Sequence, residues 1–193
     1  MYRVSNTKAR ELETPAISIH AELIDRALQN DPEAQFDLYK KYNAAMYNTA
    51  LRITRNTALA EDVIQESFLS AFQSLIYYRG DASFGSWLKR IVINKAITLT
   101  KKESRWDLVE NDDELDGEEE LKSEPEYNVE HIKLAINELP DGFRTVLSLY
   151  LLEGYDHKEI AEILEISEST SKTQYKRAKE RLKKMLLERM NNG

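Results

Sequence analysis

The stretch from Leu139 to Met185, LPDGFRTVLSLYLLEGYDHKEIAEILEISESTSKTQYKRAKERLKKM, constrains the fold of this chain more than any other part. Asp156 is placed to cap a helix, with Glu159 three residues on to complete a capping box. Ile160, Ala161 and Leu164 then recur at the one-turn spacing that buries a single face, and Ala161 is small enough for two helix backbones to cross closely. The turn Glu165-Ile166-Ser167 offers Ile166 as an apolar plug, and Ser167 or Ser169 can cap the second helix. On that helix Tyr175, Ala178, Leu182 and Met185 fall on an inward face, and Lys172, Thr173, Gln174, Lys176 and Arg177 on an outward one. From Ser167 to Met190 eight Lys or Arg stand against three Glu, a net of +5. A capped helix, a tight turn and a long basic helix predict a helix-turn-helix sized and charged for a DNA major groove.

The rest of the chain reads as helical too. Only six Gly and four Pro in 193 residues, with abundant Ala, Leu, Glu and Lys, point to an all-α fold. With no cysteine there is neither a disulfide framework nor a Cys-based metal site or nucleophile. His20, His131 and His157 are scattered without ligand spacing, and no Gly-rich phosphate loop or Ser nucleophile motif occurs. No catalytic residue, metal or cofactor is therefore expected. No run approaches the roughly 18 apolar residues of a membrane span, and MYRVSNTKARELETP lacks a signal-peptide core, so the expectation is a cytoplasmic protein without membrane insertion.

The formal net charge of −7 looks wrong for a DNA binder, but it is concentrated in one place. Glu103 to Glu126 holds twelve Asp or Glu against Arg105 and Lys122, and removing its −10 from −7 leaves +3 elsewhere. So dense a like-charge run, poor in apolar residues, reads as a flexible linker over 103–126. It separates an N-terminal extension (1–30) and a helical domain (31–102) from a second helical domain (127–190). In the first, a short helix is expected near Ile17 to Gln29, and Asp31-Pro32 starts a helix reaching about Thr54, with Phe36, Tyr39, Tyr47 and Leu51 on one stripe. Asn56 caps the next, which turns Ala60, Ile64, Phe68, Ala71 and Leu75 inward and Asp62, Gln65, Glu66 and Leu69 outward. After the loop Arg79-Gly80-Asp81-Ala82, Ser83 caps a fourth helix with Trp87, Leu88, Ile91 and Ile97 inward. No segment reads as a strand.

Two of these segments carry a family resemblance. AEDVIQESFLSAFQSL followed by SFGSWLKRIVINKA resembles the region 2 core of sigma factors, and the stretch from Glu138 to Leu182 resembles their region 4. Two such modules joined by a short linker look like the extracytoplasmic-function group. The resemblance implies a region 2 helical bundle and a region 4 helix-turn-helix joined by the acidic linker, binding core RNA polymerase and directing it to promoter DNA. Region 4 would read the −35 element through Lys172, Thr173, Gln174, Lys176 and Arg177, since Lys and Arg donate to guanine edges or phosphates and Gln pairs with adenine. Region 2 would recognise and open the −10 element through Arg79, Gly80, Asp81, Ser83, Asn94 and Lys95, with Tyr77 and Tyr78 as nearby aromatic faces. Phe84 and Trp87 fit the core better than the contact surface. Asp62, Gln65 and Glu66 would face the polymerase, where an acidic patch steers docking to a basic partner. The resemblance implies two states for the free protein, its domains packed together or held by an anti-sigma factor. Glu165 departs from the family's usual turn Gly and Ser171 from its common Val; Ile93 and Thr98 replace a basic and an acidic residue. The competing readings are a stand-alone helix-turn-helix regulator and a helical adaptor that binds only protein.

Overall fold

The computed structural model describes residues 20–103 and 129–191, and all regular structure among them is helical. The helices are α1 (Ala21–Leu28), α2 (Pro32–Thr54), α3 (Thr57–Ser74) with a 3₁₀ turn (Leu75–Tyr77), α4 (Phe84–Glu103), α5 (Val129–Glu138), α6 (Asp141–Leu151), α7 (His157–Leu164) and α8 (Glu168–Asn191). The expected helix start at Ile17, and all of the expected acidic linker beyond Glu103, lie outside the described residues.

Local capping sets the first bundle. The Asp31 carboxylate accepts the Glu33 and Ala34 N–H groups at 2.9 and 3.3 Å, and Pro32 presets the first helical residue of α2. The helix ends at Arg55, in the left-handed region, and Asn56 Oδ1 accepts the Leu59 N–H at 3.1 Å to open α3. The buried face of α2 is Ala34, Leu38, Met46, Ala50 and Ile53, not the expected aromatic stripe. Phe36 is 59% exposed, its ring under the Lys40 ammonium, while Tyr39, Tyr47 and Leu51 pack at the rim. The reason is that α2 is the central helix, touching α1, α3, α4 and α6. Small Ala34 and Ala50 let those neighbours approach, and the half-buried Tyr39 and Tyr47 rings sit at the edge of the core. On α3 the expected residues Ala60, Ile64, Phe68, Ala71 and Leu75 are buried; on α4, Leu88 and Ile97 are buried but Trp87 and Ile91 only partly.

In the second bundle Leu139, Phe143, Leu147 and Ala178 form a core closed by Ile136, Tyr175, Leu182 and Met185. At its far end Arg189 pairs with Glu138 and donates to the His131 carbonyl, tying α8 to α5.

The two bundles are packed together. Residues 142–149 of α6 are buried all the way round, because one side meets α8 and another the first bundle. Val146, Leu149, Ile160, Ile163 and Leu164 share one apolar cluster with the first core. Arg144, 1% exposed, donates to the carbonyls of Arg52 (3.2 Å), Ile53 (3.2 Å) and Leu139 (3.0 Å) and pairs with Asp141 at 2.7 Å. The Arg52 and Ile53 carbonyls lie in the last turn of α2, where no helical donor remains, so a guanidinium from the other domain caps that helix.

A second polar contact lies beside it. The Glu153 side chain, 3% exposed, accepts from Arg52, from Lys89 Nζ at 3.0 Å and from Thr49 Oγ1 at 3.2 Å. Burial alone would push this carboxyl up, but the hydrogen bonds from Arg52 and Lys89 outweigh it and hold the pKa below the ordinary value. A depressed carboxyl pKa stabilises above the unfolded-state value and is lost as pH falls through the folded one. The urea midpoint of the wild type should therefore exceed that of Glu153→Gln at pH 6–7, and the gap should close below about pH 4.

Candidate nucleic-acid interface

The helix-turn-helix assembles as its local sequence dictates. Asp156 Oδ1 accepts the Glu159 N–H at 2.8 Å, and Glu159 Oε2 accepts the Asp156 N–H at 2.8 Å, the reciprocal capping box. At the turn Glu165 is left-handed (φ 60°, ψ 44°), and the Ile166 N–H reaches back to the Ala161 carbonyl at 3.0 Å. This is the helix stop that glycine ordinarily supplies. A side chain there carries roughly 1 kcal/mol of backbone strain. The ion pair of Glu165 with Lys101, 3.8 Å long and on an 86% exposed carboxylate, returns little of it. Glu165→Gly should therefore raise stability by about 0.5 kcal/mol, read as a higher melting temperature. Of the two candidate caps for α8 it is Ser167 that serves, its Oγ accepting the Thr170 N–H at 3.0 Å.

On α8, Lys172, Thr173 and Lys176 are exposed and Arg177 is half-buried. Lys172 pairs with Glu168 at 2.6 Å and Lys176 with Glu180 at 3.8 Å, one turn away in each case. Such exposed pairs are weak and yield to a phosphate. Gln174 is not on this surface. It is 4% exposed, and with Ser171 and Ala178 at three- and four-residue spacing it lies on the face that carries Ala178 into the second core. The outward arc is one residue narrower than expected. That inner face is fixed by His157 Nδ1 against Ser171 Oγ at 3.0 Å and by Tyr150 between His157 and Tyr175, ring centroids 4.7 and 4.5 Å apart.

The second expected set surrounds the loop before α4. Arg79 and Asp81 are exposed, and Gly80 adopts φ 77°, a conformation side chains resist. Tyr78 closes the loop by donating its hydroxyl to the Ala82 carbonyl at 2.7 Å, and its ring packs on Phe84 and Trp87. Phe84 is core and Trp87 half-buried against it, whereas Tyr77 is 77% exposed. The Ser83 hydroxyl accepts the Ser86 N–H at 3.2 Å and so works as the α4 cap. Asn94 is exposed. Lys95 pairs with Glu66 at 2.9 Å, which brings a −10 candidate against a polymerase-facing candidate. Asp62, Gln65 and Glu66 are exposed along α3, and the same strip continues to Leu69 (62% exposed) and Ile76 (75%).

Arg144, Glu153, Arg52 and Lys89, which join the domains, were not legible as functional residues. The one sequence signal was Arg144 itself, a charge inside the apolar run FRTVLSLYLL. Among the described residues no group of three acids or histidines is placed to hold a metal ion, and no helix is long and apolar enough to cross a membrane.

Comparison with known proteins gives a consistent result. Residues 38–105 match the family Sigma-70 region 2, and residues 130–182 match Sigma-70, region 4. The ECF RNA polymerase sigma factor SigW of Bacillus subtilis is 31% identical over 179 residues, covering 84% of this chain and 94% of that protein. The RNA polymerase sigma-H factor of Pseudomonas aeruginosa is 29% identical over 178 residues, 86% of this chain and 92% of that one. Among solved structures, the sigma factor RpoE in complex with the anti-sigma factor NepR from Bartonella quintana shares the fold at 22% identity, with a TM-score of 0.54 over 78% of this chain and 94% of that one.

Proposed function

This chain belongs to the extracytoplasmic-function group of the sigma-70 family and is an RNA polymerase sigma factor, a transcription regulator rather than an enzyme; from that we propose that it grips promoters at two separate elements. Helix α8 reads the −35 element through Lys172, Thr173, Lys176 and Arg177, without Gln174. The observation that carries this reading is the exposed basic arc Lys172-Thr173-Lys176 on the helix that comes after a capped helix and tight turn. Lys and Arg there hold phosphates and donate to guanine edges.

The −10 element is taken by the loop Arg79-Gly80-Asp81 with Asn94 and Lys95 on α4. Tyr77 offers an exposed face on which an unstacked base can rest. Ser83 supports that loop as a cap. Core polymerase meets the α3 strip, where Asp62, Gln65 and Glu66 supply charge and Leu69 and Ile76 supply apolar area, the mixture typical of protein interfaces. The working domains are residues 31–102 and 127–190, acting in the cytoplasm beside polymerase and promoter. An anti-sigma factor is a further partner, by analogy with the RpoE–NepR pair.

Electrophoretic mobility with and without core polymerase tests this. Tight, specific promoter binding is expected only with the core enzyme; an operator shifted by the chain alone would favour a stand-alone regulator.

A further inference from the structure

We propose that His157 is a positioning residue for −35 readout: held by Tyr150 and bonded to Ser171, it fixes the register of α8 against α7 and so decides which bases Lys172 and Thr173 meet. This rests on the reading of α8 as the −35 helix; it adds a specificity determinant behind the DNA-facing surface rather than on it.

The residues meet where three helices come together. His157 is the first residue of α7, next to the Asp156 cap, and its Nδ1 shares a hydrogen bond of 3.0 Å with the Ser171 hydroxyl on α8. Tyr150, near the end of α6, stacks on the imidazole with centroids 4.7 Å apart and planes inclined by 21°. Tyr175 lies one turn beyond Ser171; it meets the same imidazole edge-on at 5.5 Å and the Tyr150 ring at 4.5 Å. His157 therefore touches α8 on two successive turns, once by a directional bond and once by a ring contact. One contact alone would leave α8 free to slide or roll; two restrain both motions. The stack on Tyr150 holds the imidazole plane that aims Nδ1 at Ser171.

The polarity of this contact separates it from ordinary packing. Ser171 has no exposed surface. An apolar side chain would fill its place without the desolvation that a buried hydroxyl carries until it is paired. Apolar packing, however, is non-directional and can settle at neighbouring registers. A hydrogen bond is satisfied only over a narrow range of distance and angle. The buried polar pair thus selects one register of the two helices.

Register matters to base reading more than to affinity. Lys172 and Thr173 follow Ser171 directly and are exposed, so a slide or roll at Ser171 is passed on to them. A slide of one residue's rise is about 1.5 Å, enough to break a hydrogen bond to a base edge. A phosphate contact survives it, because a lysine ammonium swings on a flexible four-carbon stem. Loosening the His157–Ser171 bond should therefore blur sequence preference while leaving the number of neutralised phosphates as it was.

Run-off transcription by the full chain with core polymerase tests this on a promoter recovered from genomic fragments, each base of its −35 element changed in turn. Ser171→Ala should lower the preference for the native element over single-base variants by about 5- to 10-fold. The log–log salt slope of promoter binding should keep its wild-type value. Ser171→Thr and Ser171→Val are alike in volume and differ in the hydroxyl, so they isolate the bond. The threonine variant should keep the preference and the valine variant lose it. His157→Leu should match Ser171→Ala. An unchanged preference in the alanine and valine variants, with only the melting temperature lowered, would reduce the pair to packing and overturn the positioning role. Equal losses with threonine and valine would overturn it too, since crowding rather than a lost bond would be the cause. A wild-type polymerase complex that discriminates no base of the −35 element would overturn the −35 reading, and the positioning role with it; discrimination kept by the wild type and by every variant overturns the positioning role alone.

Discussion

Arg144→Ala is expected to destabilise the protein by about 3–5 kcal/mol, read as a large drop in the urea midpoint at neutral pH. The guanidinium is 1% exposed and serves three carbonyls, at Leu139, Arg52 and Ile53, besides the Asp141 carboxylate. Truncation leaves those carbonyls unpaired, opens a cavity and removes the cation from the C-terminus of α2. Burial pulls the Arg144 pKa down from its usual value and Asp141 pushes it back, so the group stays charged at any working pH. Asp141 is partly exposed, and water takes over much of its pairing. Arg144→Met should recover part of the loss by filling the volume without restoring the donors. A change below about 1 kcal/mol in the alanine variant would contradict this account of the junction.

Lys172→Ala combined with Lys176→Ala should weaken binding of the polymerase complex to a duplex carrying the −35 element and lower its log–log salt slope by about two. A lysine that pairs with a base edge contributes about 1–3 kcal/mol, and one that holds a phosphate weakens all sequences alike. Titrations at several salt concentrations separate the two. Gln174→Ala is the control: its side chain is interior, so the melting temperature should fall while the salt slope stays at the wild-type value. A slope unchanged in the double lysine variant would place the DNA elsewhere.

The parts of this fold legible in the sequence were those decided within one turn of chain. Asp31, Asn56, Ser83, Ser167 and the Asp156–Glu159 box all cap the helices their neighbours announced. What failed were judgements about which side of a helix meets a neighbour. Phe36 belongs to an aromatic stripe by spacing alone, but α2 is packed against four helices, α1, α3, α4 and α6, and its true inner face is marked by small residues. Gln174 reads as outward because it is polar, yet it sits in register with Ala178. The junction itself was hidden because its partners are far apart in sequence: Arg144 and Ile53 are separated by 91 positions, Arg52 and Glu153 by 101. Periodicity carries no information over such distances. The candidate DNA residues were legible as a charge pattern on a helix.

Whether this chain directs polymerase to its own promoters is decided by run-off transcription with purified bacterial core polymerase on a fragmented genomic DNA library. The expected result is transcripts that require this chain, whose start sites lie downstream of one shared pair of upstream sequence elements. Failure of the chain to associate with core polymerase, or start sites identical with and without it, would contradict the assignment.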